Sequence, residues 1–269
     1  IEYSHQLEEK SAQLEMATTE LRAANERLKE LDRLKDDFLS IVSHELRTPL
    51  TSIKSFSEIL SDNPGLESAQ RRDFLGIISR ESERLTRLIT QILDFAKMEA
   101  GRLDWNMGDV DPKTAIEDAV AAARGLVSDK PITLDIDMPN SLPAVHADRD
   151  RLIQVVVNLL SNAIRFCDDR AGRVVVSAHS DGRQVLVGVT DNGPGVAERD
   201  GDLIFEKFQQ GHGPVDERSG GTGLGLSICR QIVEHFGGRI WVENVGSPGA
   251  RFQFSIPLRR EDALTAAAQ

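Results

Sequence analysis

Four leucines spaced seven apart, Leu7, Leu14, Leu21 and Leu28, run through an opening stretch, residues 1–35, that contains neither Gly nor Pro. Ala17, Ala24 and Leu31 come three positions after the last three of them. A seven-residue apolar repeat on a helix makes a seam that stays dry only against another surface. That surface is either a second copy, in a parallel dimeric coiled coil, or a globular body on which one amphipathic helix lies. The highly charged flanking positions favour the coiled coil. Lys10 interrupts the seam, so the coil is expected to be weak near its start. Beyond Leu31 the spacing changes, with Leu34 and Phe38 shifting the register. Such a discontinuity lets rotation or stagger of the coil reach the adjoining helix.

That adjoining segment is FLSIVSHELRTPLTSI, Phe38 to Ile53. Set on a helix, Phe38, Val42, Leu46, Pro49, Ile53, Phe56 and Leu60 fall within one stripe about 80° wide, a core-facing edge. His44 projects roughly 160° from the middle of that stripe, into solvent. Thr48 lies one turn on along the same exposed face, and Glu45 is the immediate neighbour of His44. Pro49 cannot donate to the helical ladder, which predicts a bend just past the histidine. An exposed imidazole with an adjacent carboxylate is a candidate nucleophile, since the carboxylate can fix the tautomer and accept the displaced proton. A lone exposed histidine is also commonly just a solvated side chain.

The turn signal Ser61–Gly65, SDNPG, ends this helix near Leu60. A second helix is expected from about Glu67 to Ala100, with Phe74, Ile77, Ile78, Leu85, Leu88, Ile89, Ile92, Leu93 and Phe95 apolar and Gly101 as its stop. Two long antiparallel helices carry more apolar surface than one hairpin buries, so two copies are expected to form a four-helix bundle. The homodimer is thus implied twice, by the coil and by the hairpin.

At 269 residues, 40% of them hydrophobic, the chain has enough apolar content for a folded core and room for one large or two ordinary domains. Its net charge of −11 argues against nonspecific nucleic-acid binding, which rests on phosphate neutralisation by Lys and Arg. Two cysteines, Cys167 and Cys229, make no disulfide framework and point to a reducing compartment. No Cys and His cluster with metal-ligand spacing is visible. No run of eighteen apolar residues or signal peptide occurs, which predicts a cytoplasmic fragment. The chain begins with Ile1 rather than Met, so a longer protein is expected, with any sensor domain or membrane anchor upstream.

From Leu103 the periodicity changes, and a mixed α/β domain is expected to begin near Met107. Pro112–Val127 reads as a helix, Ile132–Met138 as a strand and Ala147–Phe166 as another helix. Arg173–His179 and Gln184–Thr190 read as paired strands joined through Asp181-Gly182. A helix from about Gly225 to Phe236 and strands near Arg239–Glu243 and Arg251–Ile256 close the domain, and Ala263–Gln269 reads as a frayed tail.

Three motifs in this domain are each weak alone. Asn158 and Asn162 share one helix face within NLLSNAIRF, as many surface amide pairs do. DNGPGV, Asp191 to Val196, ends a strand in a turn that two glycines make permissive. GGTGLGLSI, Gly220 to Ile228, lets backbone N–H groups approach a polyphosphate at a helix N-terminus, though it lacks the Lys-Ser/Thr of a Walker A sequence.

Together and in order, these stretches closely resemble the sensor histidine kinases. FLSIVSHELRTPL resembles the H-box, and NLLSNAIRF, DNGPGV, FEKF and GTGLGL resemble the N, G1, F and G2 boxes. The resemblance spans residues 38–258. It implies a multidomain α plus α/β chain: a signalling coiled coil (1–35), a dimerisation and histidine phosphotransfer hairpin (36–102), a Bergerat-type α/β sandwich that binds ATP (103–260) and a tail (261–269). By the same resemblance His44 is the phospho-acceptor and Asn162 holds the Mg²⁺ that bridges the ATP phosphates, with Asn158 beside it. Asp191 accepts a hydrogen bond from the adenine amino group, in a pocket shaped by Gly193 and Gly195. Gly221, Thr222, Gly223, Leu224 and Gly225 line the phosphates. Arg165 replaces the lysine more usual in the N box, keeping the charge while changing its geometry. Lys207 matches the basic position of the F box and would neutralise developing γ-phosphate charge, the alternative being a surface lysine. Gln209–Thr222 is expected to be an ATP lid, with no role assigned to His212, Arg218 or Ser219.

The implied activity is autophosphorylation of His44 by Mg·ATP, then transfer to an aspartate on the receiver domain of a separate response regulator. Thr48 matches the position that orients a water for the reverse reaction, which adds a phosphatase activity toward the regulator. ATP-hydrolysing relatives carry a glutamate four residues before the Mg²⁺-binding asparagine. Here that position is Asn158, an amide that is no base at neutral pH, which argues against a simple ATPase. A catalytically silent or phosphatase-locked dimeric scaffold is the other alternative.

Overall fold

The computed structural model describes residues 2–125, 131–168, 171–207, 223–245 and 249–258. The chain divides into two compact units, Ile1–Leu85 and Thr86–Gln269. The segments read separately as coil and hairpin helix form one α-helix, α1 (Glu2–Asp62), which runs on through Pro49. Asn63 ends it, its backbone and side-chain amides both donating to the Ile59 carbonyl, at 3.1 and 2.9 Å. α2 (Ser68–Glu99) then returns. Within the first unit Phe56 meets Phe74, ring centroids 5.2 Å apart, and Glu45 meets Arg84. As numbers rise along α1 they fall along α2, so the helices run antiparallel. Pro49 is buried, and Val42, Leu46, Ile53, Phe56 and Leu60 are half-buried, on the stripe the periodicity marks out. Leu14, Leu21 and Leu28 of the heptad seam are 67%, 74% and 65% exposed in the single chain.

The division between the units falls inside α2, whose last turns belong with the second. α2 stops where expected. Gly101 adopts φ +62°, its N–H donating to Met98 and the Arg102 N–H reaching back to Lys97, a glycine cap that satisfies the last carbonyls.

The second unit holds β1 (Met107–Val110), α3 (Pro112–Arg124), β2 (Ile132–Asp137), β3 (Val145–Asp148), α4 (Arg149–Phe166), β4 (Gly172–Ser180), β5 (Gln184–Asp191), α5 (Gly225–His235), β6 (Arg239–Asn244) and β7 (Ala250–Pro257). Five strands form one sheet in the order β2-β4-β5-β7-β6, with β2 parallel to β4 and every other pairing antiparallel. Val174, Val176 and Ala178 of β4 are buried while Arg173 and His179, of the opposite parity, are exposed, so one face carries the core. Fully buried Ile116, Leu152, Leu159, Ile228 and Ile232 show that α3, α4 and α5 supply the other layer.

One reading is corrected. Ala147 and Asp148 are not helical: they end β3, which pairs antiparallel with β1, a strand the periodicity did not mark. Val145 and Ala147 are almost fully buried, and this alternation holds them in a sheet. Helix α4 begins at Arg149 because Asp148 caps it, Oδ1 accepting from the Asp150 and Arg151 amides at 3.0 and 3.2 Å. The 263–269 tail and most of the stretch read as a lid, including His212, Arg218 and Ser219, lie outside the described residues.

Candidate functional site

On α1, Phe38–Ile53 places His44 and Thr48 in solvent and Glu45 half-buried. Thr48 Oγ1 donates to the His44 carbonyl at 3.2 Å, the ordinary bond of a helical threonine to the turn before it. An open depression of about 390 Å³ is lined by Leu39, Ser40, Ser43, His44 and Arg47, so the imidazole is accessible. The Glu45 carboxylate does not meet that imidazole. Its Oε2 accepts from Arg84 Nη2 of α2 at 3.1 Å. Among the described residues the His44 ring has no hydrogen-bond partner.

In the second unit, α4 carries Asn158, Asn162 and Arg165 along one side, all half-buried. The Asn158 Nδ2 is enclosed and bonds no described oxygen or nitrogen, lying against the Cys229 thiol, a weak partner for so strong a donor. The Arg165 guanidinium lies 5.1 Å from the centroid of the Phe166 ring. The fully buried Cys229 of α5 packs against α4, its thiol donating to the Val155 carbonyl at 3.8 Å, and burial pushes that thiol up to about 12 despite contact with Asn158.

Asp191 ends β5 with its carboxylate buried, and Oδ1 accepts from the Gly193 amide at 2.8 Å. Burial raises its pKa above the usual carboxylate range, outweighing the backbone donors Gly193 and Ala250. A Cβ on Gly193 would fall 2.2 Å from the Phe166 carbonyl oxygen, so only glycine lets the turn pass the end of α4. Gly195 has φ +81°. Two residues that the motif reading left unassigned hold this turn. Asn244 of β6 accepts from the Val196 amide at 2.9 Å and donates to the Val196 carbonyl at 2.7 Å. Asn192 accepts from Arg173 and donates to Ala171, tying the turn to the start of β4. Asn192 was visible within DNGPGV, whereas nothing local marks Asn244.

The third stretch enters α5 through Gly223, at φ +65°, and the buried Leu224, which occupies the N-cap position. Gly225 opens the helix with no described atom within 4 Å of where a Cβ would stand. Gly221 and Thr222 lie outside the described residues. Lys207 does not stand free: Nζ donates to both carboxylate oxygens of Glu99, each at 2.8 Å, and lies 5.9 Å from the Phe95 ring centroid. Gln231 of α5 also donates to Glu99, at 2.9 Å. Burial alone would raise the Glu99 pKa, but the hydrogen bonds from Lys207 and Gln231 and the Lys207 charge hold it below the usual range. Among the described residues no three His, Cys, Asp or Glu side chains converge to hold a metal.

Both stretches fall within families of known proteins. The family of the His Kinase A (phospho-acceptor) domain matches residues 34–101, and that of the histidine kinase-, DNA gyrase B- and HSP90-like ATPases matches 147–260. The sensor protein TorS of Escherichia coli is 34% identical over 257 residues, covering 94% of this chain and 27% of TorS, so the chain spans about a quarter of that relative. Full-length ShkA in complex with AMPPNP superposes with a TM-score of 0.59 at 30% identity, over 81% of this chain and 45% of ShkA. The histidine kinase ThkA in complex with the response regulator protein TrrA gives 0.61 at 27% identity, over 83% of this chain and 61% of the other.

Proposed function

Because the chain joins a phospho-acceptor domain to a histidine-kinase-type ATPase domain, and so belongs to the sensor histidine kinases, we propose that it is an ATP-dependent protein-histidine kinase core. It phosphorylates itself on His44 and passes the phosphoryl group to an aspartate of a response regulator. The observation that carries this is the exposed imidazole of His44 on α1, without a hydrogen-bond partner among the described residues, in a chain whose second unit buries Asp191 behind a glycine turn. One imidazole nitrogen attacks the γ-phosphorus in line. A P–N bond forms, the bond to the β–γ bridging oxygen breaks, ADP leaves, and Glu45 takes the proton from the ring. Thr48 orients water for the reverse hydrolysis of the phosphorylated regulator.

In the ATP-binding domain, Asp191 receives the adenine amino group, in a pocket shaped by the turn that Gly193 and Gly195 allow. Gly221, Thr222, Gly223, Leu224 and Gly225 face the phosphates with Arg165 and Lys207. The residues fit a nucleotide: among the described residues the enclosed Asn158 Nδ2 bonds no oxygen or nitrogen, and no described atom stands within 4 Å of a Cβ at Gly225, at a helix N-terminus. They also fit Mg²⁺, a hard cation that takes one protein oxygen, here from Asn162, and completes its shell with phosphate and water. When bound, Mg²⁺ supplies charge neutralisation between the phosphates.

Residues 1–35 act as a signalling coil, 36–102 as the dimerisation and phosphotransfer domain, 103–260 as the ATP-binding domain and 261–269 as a tail. The exposed Leu14, Leu21 and Leu28, with Leu50 and Leu75 exposed on the hairpin, support a homodimer built from the coil and a four-helix bundle. No described helix is long and apolar enough to cross a membrane. We place the fragment in the cytoplasm, downstream of a sensor domain on the same polypeptide.

The test is incubation with γ-labelled ATP and Mg²⁺, followed by acid and alkali. Label that survives alkali, vanishes in acid and is absent from His44→Gln supports the kinase. A protein that binds AMPPNP by calorimetry yet takes no label would instead be a scaffold or a phosphatase-locked form.

A further inference from the structure

Neighbouring side chains on a helix point about 100° apart, so a carboxylate at position 45 serves the imidazole at position 44 only if it is free to swing toward it. Here it is held on the other helix. Arg84 donates to Glu45 Oε2 at 3.1 Å, and the Glu45 side chain is only 13% exposed while Arg84 is 37% exposed. A guanidinium bond of this kind fixes the carboxylate on the far helix and occupies one of its oxygens.

A second carboxylate stands ready to take the arginine. Glu81 lies one turn back on α2, with Oε2 3.8 Å from Arg84 Nη1, within ion-pair range but too long for a hydrogen bond. That oxygen is enclosed and has no hydrogen-bond partner among the described residues. A shift of the guanidinium by about an ångström would satisfy it and offset the loss of the Glu45 bond.

We propose that Arg84 is a positioning residue of the phospho-acceptor site, shared between Glu45 on α1 and Glu81 on α2. While Arg84 holds Glu45, the carboxylate is withheld from His44. When Arg84 passes to Glu81, Glu45 is released to accept the imidazole proton. The Glu45 contact crosses between helices whereas the Glu81 contact lies within α2. Stagger or rotation of α1 against α2 therefore changes the first distance and leaves the second alone. Since α1 is continuous from Glu2 to Asp62, a change in its upstream register has a direct mechanical route to this choice.

The inference rests on Glu45 being the proton acceptor for His44, and the test separates the two. Initial autophosphorylation rates and the KM for ATP are measured for Arg84→Met, Glu81→Gln and Glu45→Gln, and for each of the first two combined with the third. Methionine keeps the apolar stem of the arginine and removes the fork. Arg84→Met should raise the rate roughly two- to fivefold, the population change expected on breaking a partly exposed ion pair. Glu81→Gln, which weakens the alternative partner, should lower it by a similar factor, and neither should move KM. Both effects should vanish in the Glu45→Gln background. Thermal melting of each variant distinguishes a loss of rate from a loss of fold. Equal falls for Arg84→Met and Glu81→Gln, or effects that persist without Glu45, would overturn the proposal. A Glu45→Gln chain that labels at the wild-type rate overturns the reading of Glu45 itself.

Discussion

Gly193 and Gly225 belong to two glycine motifs that look equally permissive in sequence, and the structure predicts opposite outcomes for an added methyl group. At Gly193 the new Cβ would stand 2.2 Å from the Phe166 carbonyl oxygen and 2.9 Å from Asp191 Oδ1, far inside the 3.4 Å at which ordinary contact begins. The nearest obstacle is backbone at the end of α4, which cannot rotate aside as a long side chain can. Gly193→Ala must therefore move the turn off α4, straining the 2.8 Å bond from its own amide to Asp191. Overpacking of this kind costs about 1–3 kcal/mol. For a unit of this size that is a fall in melting temperature of roughly 2–12 °C. At Gly225 no described atom lies within 4 Å, and the residue opens α5, where alanine is a better helix former than glycine. Gly225→Ala should melt at or slightly above the wild-type temperature. Calorimetry with AMPPNP then reads function separately from folding. Gly193→Ala should lose binding together with stability, and Gly225→Ala should lose affinity alone if phosphate oxygens come close to its backbone. A Gly193→Ala protein that melts and binds like wild type would refute the steric argument. A stable Gly225→Ala protein with full affinity would refute the phosphate assignment.

The remaining predictions concern titration and reactivity. Asp191 has a raised folded pKa, so its ionisation opposes folding, and its contribution to stability improves as pH falls from the raised value toward the ordinary carboxylate range. Asp191→Asn should abolish AMPPNP binding while melting no lower at neutral pH, and a large drop in melting temperature would contradict this sign. Glu99 has a lowered folded pKa, so its contribution is present above the ordinary range and lost as pH falls through the lowered value. With both partners about 40% exposed, the pair is worth about 0–1 kcal/mol. Glu99→Gln should change neutral-pH melting little, flatten its acid limb and tighten AMPPNP binding by freeing Lys207; weaker binding would count against a phosphate role for that lysine. Cys229 is fully buried, with its thiol pushed up to about 12, and Cys167 is also buried. Maleimide at neutral pH should label neither until the fold is opened with denaturant, and rapid native labelling would contradict the packing against α4.

What could be read from sequence depended on how far apart the interacting residues lie. The hairpin between β4 and β5 was legible because its signal is local: Asp181 Oδ1 accepts from the Arg183 and Gln184 amides and Gly182 supplies φ +82°, all within four residues. The cap after α2 was legible for the same reason. The pairing of β1 with β3 was not, because MGDV carries no strand period and its partner lies nearly forty residues away; Ala147 and Asp148 then joined the helix they only precede. The motifs behave alike. Each glycine turn announces itself, since the backbone need is met by the residue that bears it, but the partners of the charged groups do not. Asn244 reaches Val196 across 48 residues, Arg84 reaches Glu45 across 39, and Lys207 reaches Glu99 across 108. In sequence Glu45 and Lys207 read as free groups aimed at the chemistry. In the fold each is engaged by an opposite charge on α2, Arg84 for Glu45 and Glu99 for Lys207. Both ion pairs depend on residues far away in the chain, and a motif match contains no trace of either.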